Sequence, residues 1–323
     1  MIMADNNIFY QGFMSALQAK IPQRADLANA ITDMLAIDKD AVYRRLRGEV
    51  SFSFAEMAVI ARNTGISLDS IAGIENVQSK PTTMNISKQV NPTETDYEMF
   101  EGHVNLLKSI RNEPDTKIIE GGNTFPHYLY QNYENIMRFY MFRWNRGSSY
   151  GDARPFHKII IPERLRALQK ATCEYAKHIS STVYIWDHLL FHRFVTSVSY
   201  YAKLHLISDE DVSLIKSDLV AFVNDIEKLA VRGKHEETGK EVRIFITDIN
   251  FDLNYSCLES KNIHLSLFWV FSLNAIVSLD DEVFNETRTW MNSVQRFSTL
   301  ISVTGEKFRT AFLDEQRKII DTL

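Results

Sequence analysis

The sequence predicts a multidomain α+β protein, on three observations. Apolar residues recur at helical spacing through the first quarter of the chain. A polar, proline-punctuated stretch interrupts that pattern between residues 75 and 92, and beyond residue 239 the period drops to two. The expected division is residues 1–76 as an all-α unit, 77–94 as a linker, and 95–323 as an α+β domain with an antiparallel sheet and several helices.

In the opening segment Phe9, Phe13 and Leu17, flanked by Tyr10 and Met14, fall on one helical face, and Pro22 closes the run. Leu27, Ala30, Ile31, Met34 and Leu35 predict an amphipathic helix over 25–35. Asp38 stands at an N-cap position before a short helix carrying Ala41, Val42 and Leu46, and Gly48 ends it. Ser53 with Glu56 three residues on forms a capping box for the next helix, whose apolar face is Met57, Ala58, Ile60 and Ala61 and whose end is Gly65. Residues 67–71 begin one more turn before Gly73.

In the larger part, helical patterns run over 97–110, 128–144, 162–179, 189–206 and 209–231. After a polar turn at 234–239, three sets alternate with polar residues: Val242, Ile244 and Ile246; Phe251, Leu253, Tyr255 and Cys257; Ile263, Leu265 and Leu267. Their short separations predict a meander of antiparallel strands. Helices over 281–297 and 306–323 close the chain.

Charge narrows the function classes. Thirty-six Lys and Arg against 41 Asp and Glu leave a net charge of -5. A chain that coats nucleic acid or an acidic membrane is basic overall, so any such contact here needs a local patch. The two cysteines, Cys173 and Cys257, have no CxxC spacing, which fits a reducing compartment and gives no thiolate zinc site. The first residues lack the basic and apolar regions of a signal peptide. No apolar run reaches the roughly 18 to 20 residues that cross a bilayer. A cytoplasmic location is expected, with no membrane partner.

One local patch exists. Residues 20–76 carry seven basic and eight acidic side chains, yet four of the seven, Lys39, Arg44, Arg45 and Arg47, crowd into nine positions. The segment ITDMLAIDKDAVYRRLRGE, residues 31–49, has Ile31, Leu35, Ile37 and Val42 placed to fill the face between two steeply crossing helices, with a small residue, Ala36, at their turn. It resembles the helix-turn-helix of the lambda-repressor-like (xenobiotic-response-element) family, and the resemblance covers about residues 27–73. It implies a five-helix bundle whose second motif helix enters the major groove. In that reading Lys39, Tyr43 and Arg44 are the base-edge candidates, Arg45 and Arg47 the phosphate candidates, and Asp40 shares their helix. Ala36 stands where the family carries glycine, Thr32 where it carries alanine, and Ala28 where a phosphate-touching glutamine often lies. Arg45 takes the last apolar position, with Leu46 one place on.

Chemistry elsewhere is thinner. His188 and His192, four apart with Asp187 before them, are the one pair placed to share a metal, but the HExxH glutamate is missing. Gly121, Gly122, Asn123 and Thr124 form a turn able to cradle an anion without P-loop spacing, and Gly305 to Lys307 reads as a helix start. Cys173 has no base beside it in sequence, and no GxSxG elbow occurs. The aromatic stripe of Tyr128, Tyr130, Tyr133, Phe139, Tyr140, Phe142 and Trp144, with Tyr200 and Tyr201, suits a core or the wall of an apolar pocket.

The expectation is therefore a transcriptional regulator and not an enzyme. It would bind double-stranded operator DNA, act as a homodimer because one recognition helix covers only a half-site, and use its large domain for effector sensing or dimerisation. A small-molecule effector is a further partner; no catalytic residue, metal or cofactor is assigned. The alternatives are an enzyme built on Asp187, His188 and His192 with a helix-turn-helix attached, and a protein-docking module.

Overall fold

Helical spacing in the first quarter becomes five helices: α1 (Ile2–Lys20), α2 (Arg24–Leu35), α3 (Lys39–Leu46), α4 (Phe54–Thr64) and α5 (Leu68–Ile71). The computed structural model describes residues 2–71, 83–85, 87–148, 154–270 and 273–323. The chain divides into two compact units, Met1–Thr82 and Thr83–Leu323. Residues 77–82 and 86 of the expected linker fall outside the described residues.

The small unit closes on Phe13, Leu17, Leu27, Ala28, Ile31, Val42, Phe52 and Ile60, all buried. Phe13 meets Phe52 edge-on with ring centroids 6.3 Å apart, a favoured aromatic geometry. Each large apolar side chain removed from water contributes about 1.5 to 3 kcal/mol, and the helices of this unit are held mainly by this shared interior.

The large unit begins with a strand inside the expected linker, β1 (Thr83–Asn85). Then come α6 (Glu94–Ile110), β2 (Lys117–Gly122), α7 (His127–Tyr130), α8 (Glu134–Ser148), α9 (Glu163–Ala176), β3 (Ser181–Asp187), α10 (Leu190–Lys203) and α11 (Asp209–Arg232). The chain ends with β4 (Glu241–Thr247), β5 (Asn254–Glu259), β6 (His264–Val270), β7 (Asn274–Ser278), α12 (Asp281–Arg296), β8 (Thr299–Leu300) and α13 (Glu306–Ile320). The strands form one sheet in the order β1-β7-β6-β5-β2-β3-β4-β8.

The sheet is mixed, which corrects the expectation of an antiparallel one. β2, β3 and β4 run parallel at its centre, with Ile119 opposite Val183 and Tyr184 opposite Ile244. Parallel neighbours need long crossovers, and α7 to α9 and then α10 and α11 supply them. β5, β6 and β7 make an antiparallel meander. The run at 242–246 lies elsewhere, as β4 between β3 and β8, so the connection from β4 to β5 spans two strands.

Period-two alternation divides the strand residues between two faces. Tyr184, Trp186, Val242 and Ile244 join the core built by α8, α10, α11 and α13. Ile118, Leu258, Leu265 and Leu267 pack with residues of α6, α7 and α9. On the opposite face Ile119, Val183, Ile185 and Phe245 meet Met291 and Val294 of α12. No helix among the described residues is long and apolar enough to cross a membrane.

Candidate nucleic-acid interface

The corner between α2 and α3 is set by backbone conformation. Ala36 ends α2 in the left-handed region, φ 51° and ψ 42°. Asp38 is extended and leads into α3, although its side chain caps no backbone N–H. Ile31 and Val42 are fully buried across this corner, and Leu35 and Ile37 pack partly buried against the same cluster. The expected shared apolar face is therefore present.

A Schellman motif terminates α3. Gly48 takes φ 77°, its N–H donates to the Arg45 carbonyl at 2.9 Å, and the Glu49 N–H donates to the Arg44 carbonyl at 3.0 Å. This closure brings Glu49 back along the helix. Its carboxylate lies 2.6 Å from Arg47 Nε and 3.6 Å from Arg44 Nε. The hydrogen bond with Glu49 raises the Arg47 pKa, and the same bond lowers that of Glu49.

The six predicted residues separate into three environments. Lys39, Asp40, Arg44 and Arg47 are exposed, and they share one side of α3. Tyr43 is half-buried, its ring resting on the rim of the small core. Arg45 points back into the bundle: its Nη2 donates to Glu56 Oε1 at 2.8 Å and its Nη1 to the Ala41 carbonyl at 3.2 Å. The Arg45 guanidinium also lies over the Phe52 ring, 5.8 Å from the centroid. The outward cationic surface is thus carried by Lys39, Arg44 and Arg47, with Glu49 among them. Sequence spacing had not singled out Glu49 as their partner.

The large unit pairs two of the three alternative site residues. His188 lies in the turn before α10, so it does not share a helical face with His192, which is exposed. Asp187 binds Arg193 Nη2 at 2.8 Å and accepts from the Leu189 N–H at 2.8 Å. The His188 Nδ1 is 3.2 Å from Asp248. Among the described residues no cluster of three metal-ligating side chains occurs.

The glycine turn holds an internal group in place of an anion. Asn254 Oδ1 accepts from the N–H groups of Asn123 at 2.8 Å and Thr124 at 3.2 Å, and its Nδ2 donates to Thr124 Oγ1. Burial pushes the Cys173 thiol up to about 12 and Cys257 up to about 11, which leaves both protonated and poor nucleophiles. Most of the aromatic stripe is core: Tyr130, Phe139, Tyr140 and Phe142 are fully buried. Tyr128 differs, since it also lines a cavity of about 270 Å³ bounded by α6, α9 and the β6–β7 end of the sheet.

No protein-family model, curated protein or solved structure matches this chain.

Proposed function

We propose that the chain is a sequence-specific DNA-binding regulator of transcription, with α3 as its recognition helix. The observation that carries this reading is the division of α3 itself. Val42 anchors one side in the small core, while Lys39, Arg44 and Arg47 present long donors from the other. Such donors hydrogen-bond base edges in the major groove and phosphates at its rim. Arg45, clamped by Glu56, holds the helix in place and does not reach outward. Tyr43 contributes its rim-facing edge. The reading places the protein where the genome is accessible, with the large domain supplying dimerisation or a sensor.

Selection of duplexes from a random pool by the full-length protein tests this directly. An enriched motif is expected, and affinity for it should fall linearly in log–log salt with a slope near -0.9 per neutralised phosphate. Arg44→Ala should cost about 1 to 3 kcal/mol on the selected site if Arg44 reads a guanine, with little change on random DNA. Failure to enrich any motif overturns the proposal in favour of protein docking by the same surface.

A further inference from the structure

The cavity between α6, α9 and the ends of β6 and β7 combines apolar walls with polar groups that the fold leaves unsatisfied. Gln169 on α9 is 5% exposed, and neither its Oε1 nor its Nε2 has a hydrogen-bond partner among the described residues. Trp269 Nε1 on β6 and Asn274 Nδ2 at the start of β7 are likewise buried without partners. All three side chains line the same cavity. An unmet buried donor or acceptor costs about 1 to 3 kcal/mol, so four such atoms around one space make a costly arrangement for the empty fold.

Several other polar groups at this wall are already engaged. The Ser87 N–H and hydroxyl donate to Asn274 Oδ1 at 2.7 and 3.0 Å, and Thr172 Oγ1 donates to the Leu168 carbonyl at 2.9 Å. The Tyr128 hydroxyl lies 3.4 Å from His103 Nε2. Desolvation, with the neighbouring His127, brings the His103 pKa down to about 4, so that ring is neutral near pH 7. No Lys, Arg, Asp or Glu lines the cavity among the described residues. A charged ligand would therefore lose its hydration without gaining a counter-ion.

We propose that this cavity binds a small, uncharged, planar cyclic amide. A ring carbonyl beside a ring N–H matches the free acceptor and donor of the Gln169 carboxamide in a two-bond pair, and other ring acceptors can take the Trp269 and Asn274 donors. His127 and Trp269 stack with centroids 3.5 Å apart, giving a flat wall for the ring plane. The volume of about 270 Å³ lies just below the roughly 300 to 1,000 Å³ of drug-sized sites, which favours a one- or two-ring molecule. This names what the large domain would sense. Only an effect on DNA rests on the regulatory reading; binding itself does not.

Calorimetric titration of the full-length protein tests the site with three uncharged cyclic amides (2-quinolone, isoquinolin-1-one and thymine), with N-methyl-2-quinolone, and with the anion quinoline-2-carboxylate. Saturable binding of at least one cyclic amide is expected, weakened about tenfold or more by Gln169→Leu. For 2-quinolone, if it binds, N-methylation should weaken binding likewise, and that comparison needs no variant. Quinoline-2-carboxylate should not bind. No saturable binding by any of the three overturns the proposal and leaves a water-filled cavity. Equal affinity in Gln169→Leu, with its thermal unfolding unchanged, also overturns it. A separate DNA titration with and without the bound amide reads the regulatory step, so that loss of DNA binding altogether leaves the calorimetric result standing.

Discussion

Glu56 holds Arg45 and caps its own helix with the same carboxylate. Its Oε2 accepts from the Ser53 N–H at 2.8 Å, while its Oε1 receives Arg45 Nη2 at 2.8 Å. One side chain thus fixes the start of α4 and ties it to the last turn of α3. The pair is mostly buried, with side chains 19% and 21% exposed, so its charge-assisted bonds are poorly screened.

Arg45→Ala should therefore destabilise the small unit by about 1 to 2 kcal/mol, and Glu56→Ala by more, because it also removes half of the capping box. A double-mutant cycle on chemical denaturation should return a coupling energy above about 0.5 kcal/mol; additivity of the two losses would show that the pair is idle.

The same carboxylate sets a pH dependence. Burial works against its ionisation, but the hydrogen bonds from the Ser53 backbone and from Arg45 outweigh this and lower the Glu56 pKa below 4.5. A depressed folded-state pKa means that the unfolded chain takes up the proton first. The stabilisation is complete above the ordinary carboxylate value and is lost as pH falls through the folded one. Melting of the small unit should lose this increment below about pH 4.5, and Glu56→Gln should flatten that limb; identical acid limbs would contradict the assignment.

Ala36 carries a left-handed conformation that glycine adopts at no steric cost. Ala36→Gly should raise the stability of the small unit by about 0.5 to 1 kcal/mol after the entropy of the unfolded chain is counted. Ala36→Val should lower it further than any other small substitution, since a branched Cβ is least tolerated there. Thermal unfolding of both variants checks the opposite signs.

Legibility in the sequence followed the periodicity of burial. The small unit is readable because Leu27 and Ile31 recur at helical spacing in one helix and Val42 and Leu46 in the next, and because the Ser53–Glu56 box and the stops at Gly48 and Gly65 are short-range signals. The capping-box bonds and both glycine conformations are present. The central strands were not readable. β3 is buried on both faces from Thr182 to Asp187, so Val183, Tyr184, Ile185 and Trp186 form a continuous apolar run without alternation. β2 is likewise buried along Ile118–Gly122. Strand partnership was also hidden: β4 alternates like a meander strand, yet its partner β3 lies more than fifty residues upstream. At the candidate interface the cationic cluster was visible, but Arg45's turn toward Glu56 depends on helix packing that spacing alone does not report.

Glu49 offers a test of the interface that leaves its cations in place. Its carboxylate lies 2.6 Å from Arg47 Nε and 3.6 Å from Arg44 Nε, so in the proposed reading it competes with DNA for both guanidinium groups. Glu49→Gln should tighten binding to the selected duplex severalfold at low salt, with a smaller gain at high salt where the ion pairs are already screened. A titration series in rising salt measures both. Unchanged affinity across the series would place Arg44 and Arg47 outside the contact.

The Asn254 amide decides whether the turn after β2 is a structural joint. Its oxygen accepts from two backbone donors, the N–H groups of Asn123 and Thr124. Asn254→Ala should cost about 1 to 3 kcal/mol, the penalty for stranding partly buried donors. Gly122 makes room for that amide, because a Cβ at this position would overlap the Asn254 side chain. Gly122→Ala should consequently destabilise the large unit by a similar amount, and combining it with Asn254→Ala should cost less than the sum, since the second change removes Oδ1 and Cγ, the two nearest atoms the first collides with. Full additivity in denaturant unfolding would show that the methyl group is accommodated by backbone movement and that the joint is not a fixed one.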